Sequence, residues 1–239
     1  MRIIQSTSTK IAEETVANIL FDKMNDSSVV VGLATGRTMV PVYSALVKLA
    51  KERGANFTNC FFFMLDEYLG LPIGHSSSFQ SYIKEHLINP LGLRESQFAF
   101  PPSHQSDGPR RYEELLKERG GIDVQLLGIG RNGHVGFNEP GSLRNSRTRI
   151  VDLTSETIEA NKDQFQNIIP EKAISMGIET ILEAKELLML ATGNSKAEQI
   201  KFLLNHHDDP NCPATFLKQH THFTLVLDPS AASRINLNI

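Results

Sequence analysis

The chain has 239 residues, 40% of them hydrophobic and 21% charged, a composition that suits one globular domain over residues 1–239 with a large buried core. A formal net charge of −3 gives no field that would gather nucleic acid or an anionic membrane, so an anionic partner has to be a small molecule held by a local site. Cys60 and Cys212, the two cysteines, stand far apart without a CxxC or Cys/His cluster, which suggests neither a disulfide framework nor a zinc site.

In chain order, the first ten residues lack the apolar core of a signal peptide, and no later stretch approaches the ~18 apolar residues of a membrane span. The expectation is a soluble cytoplasmic protein. Residues 29–34 form the first clear apolar strand and end at the turn Thr35-Gly36-Arg37-Thr38, after which Val42, Leu46 and Leu49 mark a helix. Residues 61–65 read as the next strand, followed by Asp66-Glu67-Tyr68 and by helices near 79–87 and 111–119. Residues 123–127 read as a buried strand running into a glycine-rich loop, and 149–153, 187–192 and 223–227 repeat the pattern. This alternation predicts an α/β fold: a doubly wound, mostly parallel sheet with helices on both faces and its ligand crevice outside the carboxyl ends of the strands.

Strand ends of this kind carry the chemistry. Gly32-Leu33-Ala34-Thr35-Gly36-Arg37-Thr38 leads from a strand into a helix, where free N–H groups and the helix dipole favour an anion. It has neither P-loop nor GxGxxG spacing, so a small phosphate ester fits better than a nucleotide. Taken alone, the loop reads equally well as a plain strand-to-helix turn. A second loop of this kind, Ala191-Thr192-Gly193-Asn194-Ser195-Lys196, adds a lysine as a point charge for phosphate.

Asp66 and Glu67 follow an apolar run, so one of them is expected at a strand end, partly desolvated and thereby a stronger base; an N-cap or solvated pair is the alternative. Gly130-Arg131-Asn132-Gly133-His134-Val135-Gly136-Phe137-Asn138-Glu139-Pro140 bends around one imidazole with a carboxylate five residues on, the parts of a general acid-base group near neutral pH. No metal-ligand spacing occurs, His206-His207-Asp208-Asp209 included, and no metal is expected.

In this order and spacing, Gly32 to Gly36, Leu65-Asp66-Glu67-Tyr68-Leu69-Gly70-Leu71 and Gly128 to Pro140 resemble the glucosamine-6-phosphate deaminase family over nearly the whole chain. The resemblance implies a hexosamine 6-phosphate substrate and no cofactor. Asp66 would move a proton between C2 and C1, His134 would open the ring with Glu139 orienting it and Asn132 beside it, and Thr35, Gly36, Arg37, Thr38 and Lys196 would hold the phosphate. Asn132 stands where many relatives carry aspartate, a change expected to tune the pH profile. Asp163 stands where relatives carry a phosphate-binding arginine, so Arg37 or Lys162 is expected to restore that charge. Val151 replaces one of the basic pair of allosteric members, so no activation by an N-acetylated sugar phosphate is expected. Galactosamine 6-phosphate, yielding tagatose 6-phosphate, is the alternative substrate. A 6-phosphogluconolactonase and a non-catalytic sugar-phosphate sensor rank lower, because lactone hydrolysis needs no ring-opening glutamate and a sensor would be attached to a DNA-binding segment. A homo-oligomer is as compatible with the sequence as a monomer.

Overall fold

The computed structural model describes residues 1–25, 28–103, 107–161, 165 and 168–235. The first half holds β1 (Arg2–Gln5), α1 (Thr9–Asn25), β2 (Val30–Leu33), α2 (Met39–Arg53), β3 (Phe61–Met64), β4 (Asp66–Tyr68), α3 (Phe79–Ile83), α4 (Asn89–Leu91), β5 (Phe98–Ala99) and α5 (Gly108–Glu118). The second half adds β6 (Val124–Leu127), β7 (Arg149–Asp152), α6 (Ser155–Asn161), β8 (Lys172–Ser175), α7 (Ile178–Leu182), β9 (Glu186–Ala191), α8 (Ala197–Asn205) and β10 (Phe223–Leu227).

Among the described residues, seven strands form one sheet in the order β1-β10-β9-β6-β2-β3-β5, and every neighbouring pair in it is parallel. All four residues of β6 and five of the six in β9 are buried. Successive strand residues point to opposite faces, so such runs require cover on both sides, as the sequence predicts. α1 and α2 pack against each other, presenting Val16, Leu20, Met39 and Leu46 among the buried side chains of the main core. Chain progression reverses between β2 and β6. From there β3 and β5 extend one way and β9, β10 and β1 the other, which opens a crevice at the carboxyl ends of β2 and β6.

One strand departs from the expectation. Residues 149–152 form a strand, but outside the parallel sheet: β7 lies at the edge of a separate antiparallel sheet, β4-β8-β7. Its alternating half-buried and exposed residues are those of a strand covered on one face. The two sheets meet at Leu65, whose N–H donates to the Leu33 carbonyl in the main sheet and whose carbonyl accepts from Met176 N–H, both at 2.9 Å. Asp66, the next residue, pairs across β4 with Ser175, so the seam between the sheets delivers it to the crevice. No described helix is long and apolar enough to cross a membrane.

Candidate active site

The loops leaving β2, β3, β6 and β9 enclose a cavity of about 870 Å³. Thr35, Gly36, Arg37, Thr38, Asp66, Asn132, His134 and Lys196 all line it. Glu139 and Glu67 are absent from the wall; Glu139 stands in the layer behind His134. Lys162 and Asp163 lie outside the described residues.

The first loop is fixed by its carbonyls, not by its amides. Tyr43 Oη donates to Ala34 O at 2.6 Å, Tyr82 Oη donates to Gly36 O at 2.9 Å, and Met39 N–H donates to the same carbonyl at 3.0 Å. Gly36 has φ 100°, a conformation in which any L side chain would be strained. Thr38 makes no side-chain cap on α2. Among the described residues the N–H groups of residues 35–38 have no backbone acceptor. The result is a run of free donors at the positive end of a 15-residue helix, an arrangement that receives an anion.

Lys196 reaches the cavity from the turn before α8. That turn is anchored by Asp228, a buried carboxylate that accepts from Gly193 N–H at 3.1 Å, Ala231 N–H at 2.7 Å and Thr9 Oγ1 at 2.7 Å. Burial, and after it the charge of Arg131, lowers the Lys196 pKa.

Asp66 is 5% exposed, and among the described residues no side-chain hydrogen bond satisfies its carboxyl. Burial first, and then the neighbouring Glu67 charge, push it up to about 8. Glu67 plays a different part, since its carboxylate accepts from the N–H groups of Tyr68, Phe79 and Gln80, each at 2.9 Å. It thereby holds the start of α3, and with it Phe79 in the cavity wall. The two adjacent acids thus divide the alternatives the sequence leaves open, one a desolvated carboxyl and the other a helix-start anchor.

His134 is held through Nδ1. Asn132 Oδ1 lies 2.7 Å from Nδ1 and also accepts the His134 backbone N–H at 3.2 Å, while Asn132 Nδ2 donates to Glu139 Oε2 at 2.7 Å. Glu139 Oε2 is itself 3.3 Å from Nδ1. Both groups facing Nδ1 are acceptors, so this nitrogen carries the proton and Nε2 is left to exchange one with a ligand. Burial acts to raise the Glu139 pKa, but hydrogen bonding and charge from His134, with hydrogen bonds from Thr157 and Asn132, outweigh it and hold the carboxyl at about 2. Glu139 therefore acts on the imidazole both directly and through Asn132. The loop turns at Gly133, with φ 84° and room for no Cβ, which would lie 2.3 Å from Cys212 Sγ.

Several contributors are missed by reading the sequence. Thr157, from α6, donates to Glu139 Oε1 at 2.7 Å and lines the cavity with Glu159, Tyr82 and residues 76–78. Arg149 Nη1 donates to Asn138 Oδ1 at 2.8 Å and Asn138 Nδ2 to Met176 O at 2.8 Å, bracing the loop below His134. Arg131 lines the cavity from within the glycine loop itself. Among the described residues, no group of three or more His, Cys, Asp or Glu could hold a metal ion.

Comparison with known proteins identifies the family to which the fold belongs. The family model described as glucosamine-6-phosphate isomerases/6-phosphogluconolactonase matches residues 4–226. Glucosamine-6-phosphate deaminase 1 of Giardia intestinalis is 42% identical over 92% of this chain and 84% of its own. The structure of a monomeric glucosamine-6-phosphate deaminase superposes with a TM-score of 0.94 at 36% identity, covering 98% of this chain and 100% of that one. A 6-phosphogluconolactonase from Trypanosoma brucei shares the fold at 18% identity and a TM-score of 0.77, over 98% of each chain. The chain belongs to the glucosamine-6-phosphate isomerase/6-phosphogluconolactonase family, and within it to the glucosamine-6-phosphate deaminases.

Proposed function

We propose that this chain converts glucosamine 6-phosphate and water to fructose 6-phosphate and ammonia, a hydrolytic deamination coupled to aldose-ketose isomerisation, in the cytoplasm. The observation that carries this reading is the joint placement, in one cavity, of a desolvated carboxyl, Asp66, an oriented imidazole, His134, and a cradle of free N–H groups with Lys196.

The chemistry follows from those groups. The cradle of Thr35, Gly36, Arg37 and Thr38, with Lys196, binds the phosphate dianion. His134, protonated at Nδ1 and backed by Asn132 and Glu139, exchanges a proton with the sugar through Nε2 and opens the ring. The aldehyde at C1 then acidifies the C2–H, which the Asp66 carboxylate removes. The electron pair left at C2 forms the C1–C2 double bond, and the aldehyde oxygen gains a proton. Return of the proton from Asp66 to C1 leaves an iminium at C2; water adds there, and nitrogen departs as ammonia. No step calls for a group the chain does not supply. Both cysteines are buried and unpaired, which suits a reducing compartment. The curated relatives at 39–42% identity over at least 92% of this chain, named as glucosamine-6-phosphate deaminases, support the gluco epimer.

The test is ammonia release by chelator-treated protein from glucosamine 6-phosphate and galactosamine 6-phosphate, alongside hydrolysis of 6-phosphogluconolactone. Ammonia from the gluco sugar is the expected result. Ammonia from the galacto sugar only would overturn the epimer, and lactone hydrolysis without ammonia would overturn the reaction.

A further inference from the structure

The reaction proposed above gives the phosphate one side-chain cation from the loop after β9 and one from the loop after β2. A third cation lies in the same cavity. Arg131 projects from the loop after β6, and with Lys196 and Arg37 it lines the wall. Among the described residues neither Arg131 nor Lys196 has an acidic partner within ion-pair distance, whereas other arginines, such as Arg110, Arg144 and Arg147, are paired with acids. Arg131 and Lys196 also stand near enough for the guanidinium charge to lower the lysine's pKa, second only to burial. Lys196 is half-buried and Arg131 exposed; two positive groups this near repel each other, and an anion bound between them removes that repulsion.

We infer that Arg131 is a substrate-binding residue that joins Lys196 in gripping the sugar's phosphate dianion. The inference rests on the sugar-phosphate reading of this cavity and adds a residue to it. Two features support Arg131 in this role. Its backbone is held in a closed turn, with Gly133 N–H donating to Gly130 O at 3.2 Å and Gly130 N–H donating to His134 O at 2.9 Å, so little loop entropy is lost on binding. The turn also carries His134. In a hexose 6-phosphate the ring oxygen and the phosphorus are separated only by C5, C6 and O6. A histidine that reaches the ring oxygen therefore has the phosphate beside its own loop, where Arg131 stands. A guanidinium can present two parallel N–H groups to two phosphate oxygens, and Lys196 cannot.

The experiment compares the wild type, Arg131→Gln, Arg131→Lys and a charge control outside the cavity, Arg110→Gln. It reads inorganic phosphate binding by calorimetry, and KM and kcat separately for glucosamine 6-phosphate. Loss of one charge-assisted contact at an accessible site predicts that Arg131→Gln weakens phosphate binding and raises KM, each about tenfold or more, with kcat within about threefold. Arg131→Lys should recover part of the loss, and Arg110→Gln should match the wild type. Phosphate affinity and KM of Arg131→Gln within twofold of wild type would overturn the inference while leaving the reaction intact. Phosphate binding that depends on Arg131 in a protein releasing no ammonia would uphold the anion site and overturn the reaction instead.

Discussion

Replacing Asp66 with asparagine should make the protein more stable while nearly silencing it. The carboxyl titrates near 3.8 unfolded and is pushed up to about 8 when folded, by burial and by Glu67. A carboxyl raised on folding contributes stability that is fully present below pH 3.8 and is lost as pH rises through 8, because the unfolded chain releases its proton long before the folded one can. By pH 7 that loss reaches about 4 kcal/mol as an upper limit, and water in the cavity lowers it, so a gain of about 2–4 kcal/mol is expected for the neutral side chain. The gain should be smaller at pH 5, about 1–2 kcal/mol, and larger at pH 9. Urea unfolding of wild type and Asp66→Asn at pH 5, 7 and 9 measures it, and kcat of the same preparations should fall by about 10²–10⁴. A stability difference independent of pH, or an asparagine variant less stable than wild type at pH 9, would refute the reasoning.

The wild-type kcat/KM should rise with pH through an apparent pKa near 8, since only the ionised Asp66 can take the C2 proton; a profile flat from pH 6 to 9 contradicts that role. Glu139→Gln removes the charge behind His134 and should lower kcat by about 10- to 100-fold. It should also flatten the acid limb of stability. Glu139, held at about 2 against 4.5 unfolded, contributes up to about 3 kcal/mol above pH 4.5 that disappears as pH falls toward 2. Gly133→Ala places a Cβ on the Cys212 sulfur at positive φ and should cost about 1–3 kcal/mol in thermal or urea unfolding; an unchanged midpoint would show that the turn tolerates the side chain.

The middle of the parallel sheet was legible because β2, β3, β6, β9 and β10 are largely apolar runs, the pattern that burial on both faces demands; the edge strands β1, with its exposed Arg2 and Gln5, and β5, only two residues long, carry no such run. The second sheet was less so. β4 is made of Asp66, Glu67 and Tyr68, residues that read as a loop unless the chain is known to cross between sheets at Leu65. β7 looks like another core strand until the alternation of Arg149, Ile150, Val151 and Asp152 is weighed for a one-sided sheet. The catalytic candidates could be located because strand ends and glycine turns mark them locally. Their supporting partners could not: Thr157 meets Glu139 from α6, and Asp228 meets Gly193 from 35 residues away. No short-range signal encodes a contact that the topology creates. Arg131 did stand inside a recognised loop, and only the cavity shows that it shares a wall with Lys196.

The most direct test of the account is a product balance: wild type and Asp66→Asn are incubated with glucosamine 6-phosphate, and ammonia and fructose 6-phosphate are quantified from the same samples over time. The account predicts equal amounts of the two from wild type and at most about one hundredth of that rate from the variant. Ammonia without the matching ketose, or an asparagine variant as fast as wild type, would contradict the assignment of proton transfer to Asp66.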